Sequence, residues 1–179
     1  MTDADYLKLG NDLYSKVDEL ALIANKAIGC TGNFEHGKVI GTGYYGKLDY
    51  DNLVNGYVSP NLDLKIKEFF EIVQEEDGYY IPCQDTIVKN ENFKKTTLSI
   101  KDKKEDIIIF DARSTFCGCD ENKNYSCEIE KESTTDFIIK KINGNWVVDQ
   151  IIFTQYNDCN GIIDKLSNTS IGEEITTIN

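Results

Sequence analysis

Phe137-Ile138-Ile139-Lys140-Lys141-Ile142-Asn143-Gly144-Asn145-Trp146-Val147-Val148-Asp149 holds the strongest local signal in the chain. Asn-Gly between two apolar-rich runs marks a two-residue hairpin turn, because both residues accept the positive φ that such a turn requires. The runs on either side, ending at residue 142 and spanning residues 146–155, are therefore antiparallel neighbours. The upstream strand starts at Glu128 or Thr134.

The strand pattern continues towards the N-terminus. Residues 106–116 contain the buried-looking run Ile107-Ile108-Ile109-Phe110, and residues 95–100 alternate in polarity. Residues 79–81 and 84–88 read as short strands broken at Pro82. Before Asp77-Gly78 the apolar period changes from two to that of a helix. Ser59 and Pro60 suit the N-cap and first position of a helix over residues 61–76, with Leu62, Ile66, Phe69, Phe70 and Val73 inward. A short helix is expected over residues 49–57, and a Gly-rich connector with a strand near residues 38–40 precedes it. Residues 3–28 read as one amphipathic helix, with Tyr6, Leu9, Leu13, Val17, Leu20, Ala24 and Ala27 along one face. Thr2 or Asp3 caps its start, and Gly29 stops it. Beyond residue 158 the pattern is weak, giving one short helix around residues 162–166 and then a loose tail.

Helices first and a strand meander afterwards predict an α+β fold. N-terminal helices pack on one face of a mainly antiparallel, meander-type β-sheet. The expected organisation is a single domain over residues 1–159 with a C-terminal tail over residues 160–179.

Composition narrows the function. The 179 residues are 40% hydrophobic and 28% charged, which suits a folded domain. A net charge of −12 repels nucleic-acid backbones and anionic membrane surfaces, and favours basic protein partners. No stretch approaches the length of apolar sequence that spans a bilayer, so no membrane insertion by this segment is expected. Met1-Thr2-Asp3-Ala4-Asp5 lacks the basic and apolar regions of a secretory leader. A native signal or lipid anchor upstream remains compatible with this start.

Cys30, Cys83, Cys117, Cys119, Cys127 and Cys159 are an even set spread along the chain, as in disulfide-bonded extracytoplasmic proteins. Sequence cannot choose among their pairings. Cys117 or Cys119 with Cys127 would close a small loop across a hairpin. The alternative is a metal site built on Cys117, Cys119 and Cys127, but the spacing departs from the usual zinc knuckle. No metal and no cofactor is expected.

Other motifs weigh against catalysis. Gly41-Thr42-Gly43-Tyr44-Tyr45-Gly46 matches a dinucleotide-binding pattern, but no helix opens on the glycines, so a turn is expected. His36, the single histidine, lies in a polar Gly-rich loop with no nucleophile in an obvious position. With 31 acidic residues, adjacent carboxylates arise by chance, and none is singled out as a pair. No convergent catalytic set emerges, and a non-enzyme is expected.

Three further segments complete a recognisable order. They are Leu7-Lys8-Leu9-Gly10-Asn11-Asp12-Leu13-Tyr14, then Gly46-Lys47-Leu48-Asp49-Tyr50-Asp51-Asn52-Leu53, then Asp77-Gly78-Tyr79-Tyr80-Ile81. Together with the hairpin, this layout resembles the IseA family, inhibitors of the DL-endopeptidases that Gram-positive bacteria use as autolysins. The resemblance covers roughly residues 7–153. It implies an extracytoplasmic protein that binds a cell-wall endopeptidase and blocks its active-site cleft. The candidate contacts are Asp49, Tyr50 and Asp51, plus Asp120 and Glu121 in the loop over residues 118–125. The six cysteines and the tail after residue 160 depart from the family pattern. The alternative is a non-catalytic ligand-binding or scaffold domain of a surface lipoprotein or pilin-like protein. A cavity lined by Tyr44, Tyr79, Tyr80, Phe110 or Trp146 would favour it.

Overall fold

Thr2 and Asp5 start the first helix with reciprocal bonds. The Thr2 hydroxyl accepts from the Asp5 N–H at 3.3 Å, and the Asp5 carboxylate accepts from the Thr2 N–H at 2.7 Å. The computed structural model describes residues 1–30, 34–83, 93–156 and 166–172. Helix α1 runs Asp3–Asp18, shorter than the single helix expected over residues 3–28. The chain continues in 3-10 turns over Glu19–Lys26, with a kink at Leu22. Leu20 and Ile23 are both buried. A spacing of three places both on one side of a 3-10 turn, so the apolar stripe survives the change of helix type. Ile28 has already left the helix and exchanges two 2.8 Å backbone bonds with Lys47.

The first sheet has the order β1-β2-β4-β3, from β1 (Lys38–Ile40), β2 (Gly43–Leu48), β3 (Val73–Glu75) and β4 (Gly78–Pro82), all antiparallel. The Gly41-to-Gly46 motif forms the β1–β2 turn and the start of β2, with Gly41 at φ +60°. Between β2 and β3 lie α2 (Tyr50–Val54) and α3 (Pro60–Phe69). The Ser59 hydroxyl caps α3 by accepting from the Leu62 N–H at 3.1 Å.

The helix expected to reach residue 76 ends at Phe69. Glu71 turns left-handed at φ 54°, and the Ile72 N–H returns to the Lys67 carbonyl at 2.8 Å, a Schellman-type stop. Val73 then pairs with Tyr80. β-branched Ile72 and Val73 fit this extended course better than a further helical turn.

The second sheet is a five-stranded antiparallel meander of β5 (Phe93–Lys103), β6 (Ile107–Cys119), β7 (Tyr125–Ile142), β8 (Asn145–Tyr156) and β9 (Leu166–Gly172). Asn143 and Gly144 form the β7–β8 turn with φ of 50° and 85°. β9 pairs with β8 from Tyr156↔Leu166 to Gln150↔Gly172, where weak patterning suggested a loose tail. The strand expected over residues 84–88 lies outside the described residues. The same holds for the helix expected around residues 162–166, apart from Leu166, which starts β9.

The helices lie on one face of this meander, giving the α+β arrangement. Leu13, Val17, Leu62 and Ile66 meet Ile108, Phe110, Phe137, Ile139 and Val148 in a shared core. Gly10 brings α1 down onto Phe110, where a Cβ would come within 2.6 Å of the ring. Tyr14 meets Phe137 edge-on at 5.1 Å between ring centres, and Tyr6 meets Trp146 at 6.0 Å. The segment before α3 is tied to β8. The Ser59 N–H donates to the Val148 carbonyl, and the Val148 N–H donates to the Tyr57 carbonyl. Leu48 and Ile81 carry the first sheet into the same core.

Candidate functional site

Where β2 ends, the chain turns through Asp49 into α2. Beside it, the β3–β4 turn presents Glu76 and Asp77. Between them is a cleft of about 440 Å³, lined by Ile28, Lys47, Leu48, Asp49, Tyr50, Asp51, Gln74, Glu75, Glu76, Asp77, Gly78 and Tyr79. Five of these carry carboxylates and one carries an amine.

Two networks flank the cleft. In the first, the Asp77 carboxylate accepts from the Tyr80 hydroxyl at 2.7 Å and from the Lys38 ammonium at 3.1 Å. Lys38 also meets Glu75 at 3.3 Å and sits 4.4 Å from the centre of the Tyr80 ring. The Tyr80 hydroxyl and then Lys38 hold the Asp77 carboxyl at about 2, below its ordinary 3.8. Between these values the unfolded chain binds the proton that native Asp77 refuses. The stabilisation is therefore complete above 3.8 and is lost as pH falls through about 2. Comparing wild type with Asp77→Asn by urea denaturation from neutral pH downward will show a stability difference that closes across this window. A difference that stays constant to the acid end excludes this account.

In the second network, the buried Tyr50 hydroxyl donates to one oxygen of Asp63 at 2.8 Å, and Lys67 donates to the other at 2.8 Å. The Lys67 ammonium lies 4.9 Å from the centre of the Tyr50 ring and 5.1 Å from that of Tyr79. Burial first, and then the bond to Asp63, push the Tyr50 phenol far above its usual range. Burial opposes the charge on Lys67, but Asp63 outweighs it and raises the ammonium.

Glu75 and Asp77 are thus balanced by two ammonium groups, Lys38 on both and Lys47 at 3.9 Å from Asp77. Asp49 accepts from the Asn52 side chain at 2.7 Å and pairs with no cation among the described residues. Asp51 and Glu76 are exposed and make no hydrogen bond or ion pair among the described residues. Three unbalanced carboxylates in one concave place give it a concentrated negative field. Ile28, 58% exposed, adds an apolar wall.

The structure places Asp49 and Asp51 in this cleft. Tyr50 lines it too, but only 1% of its surface is exposed. Asp120 and Glu121 are elsewhere, in the β6–β7 connection of the second sheet. One oxygen of Asp120 accepts from the N–H groups of Asn122 and Asn124 at 2.9 and 2.8 Å, so it is occupied in shaping its own loop. Glu121 is exposed. The sequence reading missed Ile28, Lys67 and the Glu75-Glu76-Asp77 turn. The available signal was Asp77-Gly78, which suits a hairpin as well as a helix end.

Of the aromatic residues named for a ligand cavity, Tyr79 lines the cleft and Tyr44 lies on β2. Tyr80 is covered at 3% exposure, Phe110 is fully buried, and Trp146 packs on Tyr6.

The cysteines staple both sheets. Cys30 pairs with Cys83, with 5.2 Å between Cα atoms, and Cys117 pairs with Cys127 at 4.3 Å. Cys119 is also disulfide-bonded, and Cys159 lies outside the described residues. The second bridge spans an irregularity in β7: Cys117 faces Glu130 and Gly118 faces Ser126, so residues 127–129 bulge out. Gly118 leaves room there for Ile129, whose side chain would meet a Cβ at 2.7 Å. Cys117 and Cys127 are thus joined to each other rather than to a metal ion. Among the described residues no group of three His, Cys, Asp or Glu is arranged to hold a metal ion, and no helix is long and apolar enough to cross a membrane. Disulfides fit an oxidising compartment.

No protein-family model matches the chain, and no curated protein matches it. Function must be argued from the fold, the cleft and its charge.

Proposed function

We propose that this protein is an extracytoplasmic, non-catalytic protein-binding domain resembling the IseA-type inhibitors of cell-wall DL-endopeptidases. It acts by covering the active-site cleft of a basic partner. The observation that carries this reading is the juxtaposition of Asp49, Asp51 and Glu76, none paired with a cation among the described residues, beside exposed Ile28. Unbalanced charge steers an oppositely charged protein, and an apolar neighbour gives the encounter something to bury. A hydrolase that grips an anionic wall polymer needs a basic surface, which makes it a complementary partner. The disulfides support a location outside the reducing cytoplasm.

Inhibition of a basic DL-endopeptidase, followed as slowed clearing of a peptidoglycan suspension, tests the proposal. Reversing Asp49, Asp51 and Glu76 together to lysine should weaken inhibition by on the order of a hundredfold, because like charges would then face each other. Glu121→Lys, in the other sheet, should leave it within about twofold. Full inhibition by the triple variant would remove the cleft from the interface, and no inhibition by the wild type would end the inhibitor assignment.

A further inference from the structure

The ammonium of Lys67 occupies a small cation-binding box. Its floor is the Asp63 carboxylate at 2.8 Å, which the Tyr50 hydroxyl orients from its other oxygen. Its walls are the faces of Tyr50 and Tyr79, each about 5 Å from the charge. Two aromatic faces and one carboxylate around one nitrogen form an arrangement that recognises alkylammonium ions in general. Tyr50 and Tyr79 also line the acidic cleft, and Asp51, on the cleft rim, acts electrostatically on Lys67. Box and cleft therefore share their walls. The occupant is not sealed in: the Lys67 side chain keeps 27% of its surface exposed. Lys67 is one helical turn from Asp63 on α3, on a long flexible stem that can swing into solvent without moving the helix.

We infer that the Tyr50–Tyr79–Asp63 box is the lysine-recognition subsite of the acidic cleft, held closed in the free protein by Lys67 and opened when a lysine of the basic partner displaces it. This rests on the cleft being the docking surface. The ligand class is a primary ammonium on a flexible peptide side chain. In exchange, Lys67 swings out and the partner's lysine takes over the bond to Asp63 and the contacts with both rings. The number of charge-assisted bonds is unchanged, so Lys67 lowers the partner's apparent affinity by the cost of its own removal.

The test is binding of a short lysine homopeptide, measured by calorimetry at fixed ionic strength. Lys67→Met empties the box and leaves Asp63 its bond from Tyr50. Lys65→Met removes an equal charge two residues away, from a side chain that pairs at 3.5 Å with Glu68. Lys67→Met should bind about tenfold more tightly than wild type, and Lys65→Met within about twofold of it. Adding Tyr79→Leu to Lys67→Met should abolish the gain. Equal gains from both lysine variants, or a gain that survives loss of Tyr79, would reduce the effect to net charge and overturn the inference. The cleft itself is judged separately, by whether reversing Asp49, Asp51 and Glu76 removes peptide binding by the wild type. If it does while the two lysine variants behave alike, the box fails and the cleft stands. If it does not, both fail.

Discussion

Replacing Cys30 and Cys83 together by serine is expected to lower the unfolding free energy by about 4 kcal/mol. The bridge joins residues 53 apart, and closing a longer loop removes more freedom from the unfolded chain. The Cys117–Cys127 bridge closes a loop of only 10, and the same relation gives it about 3 kcal/mol. The long bridge also has more structure depending on it. Cys30 follows Ile28, which pairs with Lys47, and the Cys83 N–H donates to the Tyr44 carbonyl. Its loss therefore loosens the segments that pair with β2 on either side, next to the acidic cleft. Urea denaturation of the double variant, with the other bridges kept oxidised, measures the effect. A loss below about 1 kcal/mol would mean that the unfolded chain is already confined without the bridge.

Phe110→Ala is expected to cost about 3–5 kcal/mol. The ring is fully buried, lies 5.9 Å from that of Phe137, and carries Gly10 of α1 directly on its edge. Removing it leaves a void between a helix and a sheet, and neither can collapse into the space without breaking its own hydrogen bonds. The backbone of α1 has come close through a glycine, so no side chain at that point can swing in to refill the void. Amide exchange in α1 should accelerate along with the global loss of stability. A loss under about 1 kcal/mol would show that α1 is not seated on this ring.

Much of the architecture was legible because local and long-range signals agree. Asn143-Gly144, Ser59-Pro60 and the apolar run Ile107-Ile108-Ile109-Phe110 each ask for the conformation that the tertiary contacts also favour. The disagreements arise where one pattern fits two structures. Val73 continues the helical spacing of Leu62, Ile66 and Phe69, yet it pairs with Tyr80 in a strand that becomes visible only once β4 is in place. β9 is rich in Ser, Thr and Asn, and an edge strand needs no apolar run to satisfy its backbone. At the cleft, Asp49 and Asp51, at the start of α2, were named through the family resemblance. Reading the helix through residue 76 hid the Glu75-to-Asp77 turn opposite them. Tyr50 illustrates a different limit. An aromatic between two aspartates looks like a surface contact, but its ring is buried and its hydroxyl is bound to Asp63, 13 residues away.

The seating of α1 also bears on how the chain is made. Residues 3–18 form an amphipathic helix whose apolar face rests on β6 and β7, strands that leave the ribosome well after the helix residues do. Synthesis is far slower than helix formation, so these residues wait for seconds with their apolar side chains bare, and an isolated helix of this length is only marginally populated. The β5–β9 meander, by contrast, is built of neighbouring strands and can assemble as each one emerges. Residues 3–18 are therefore open to mispairing until β6 and β7 follow, and their docking closes the shared core.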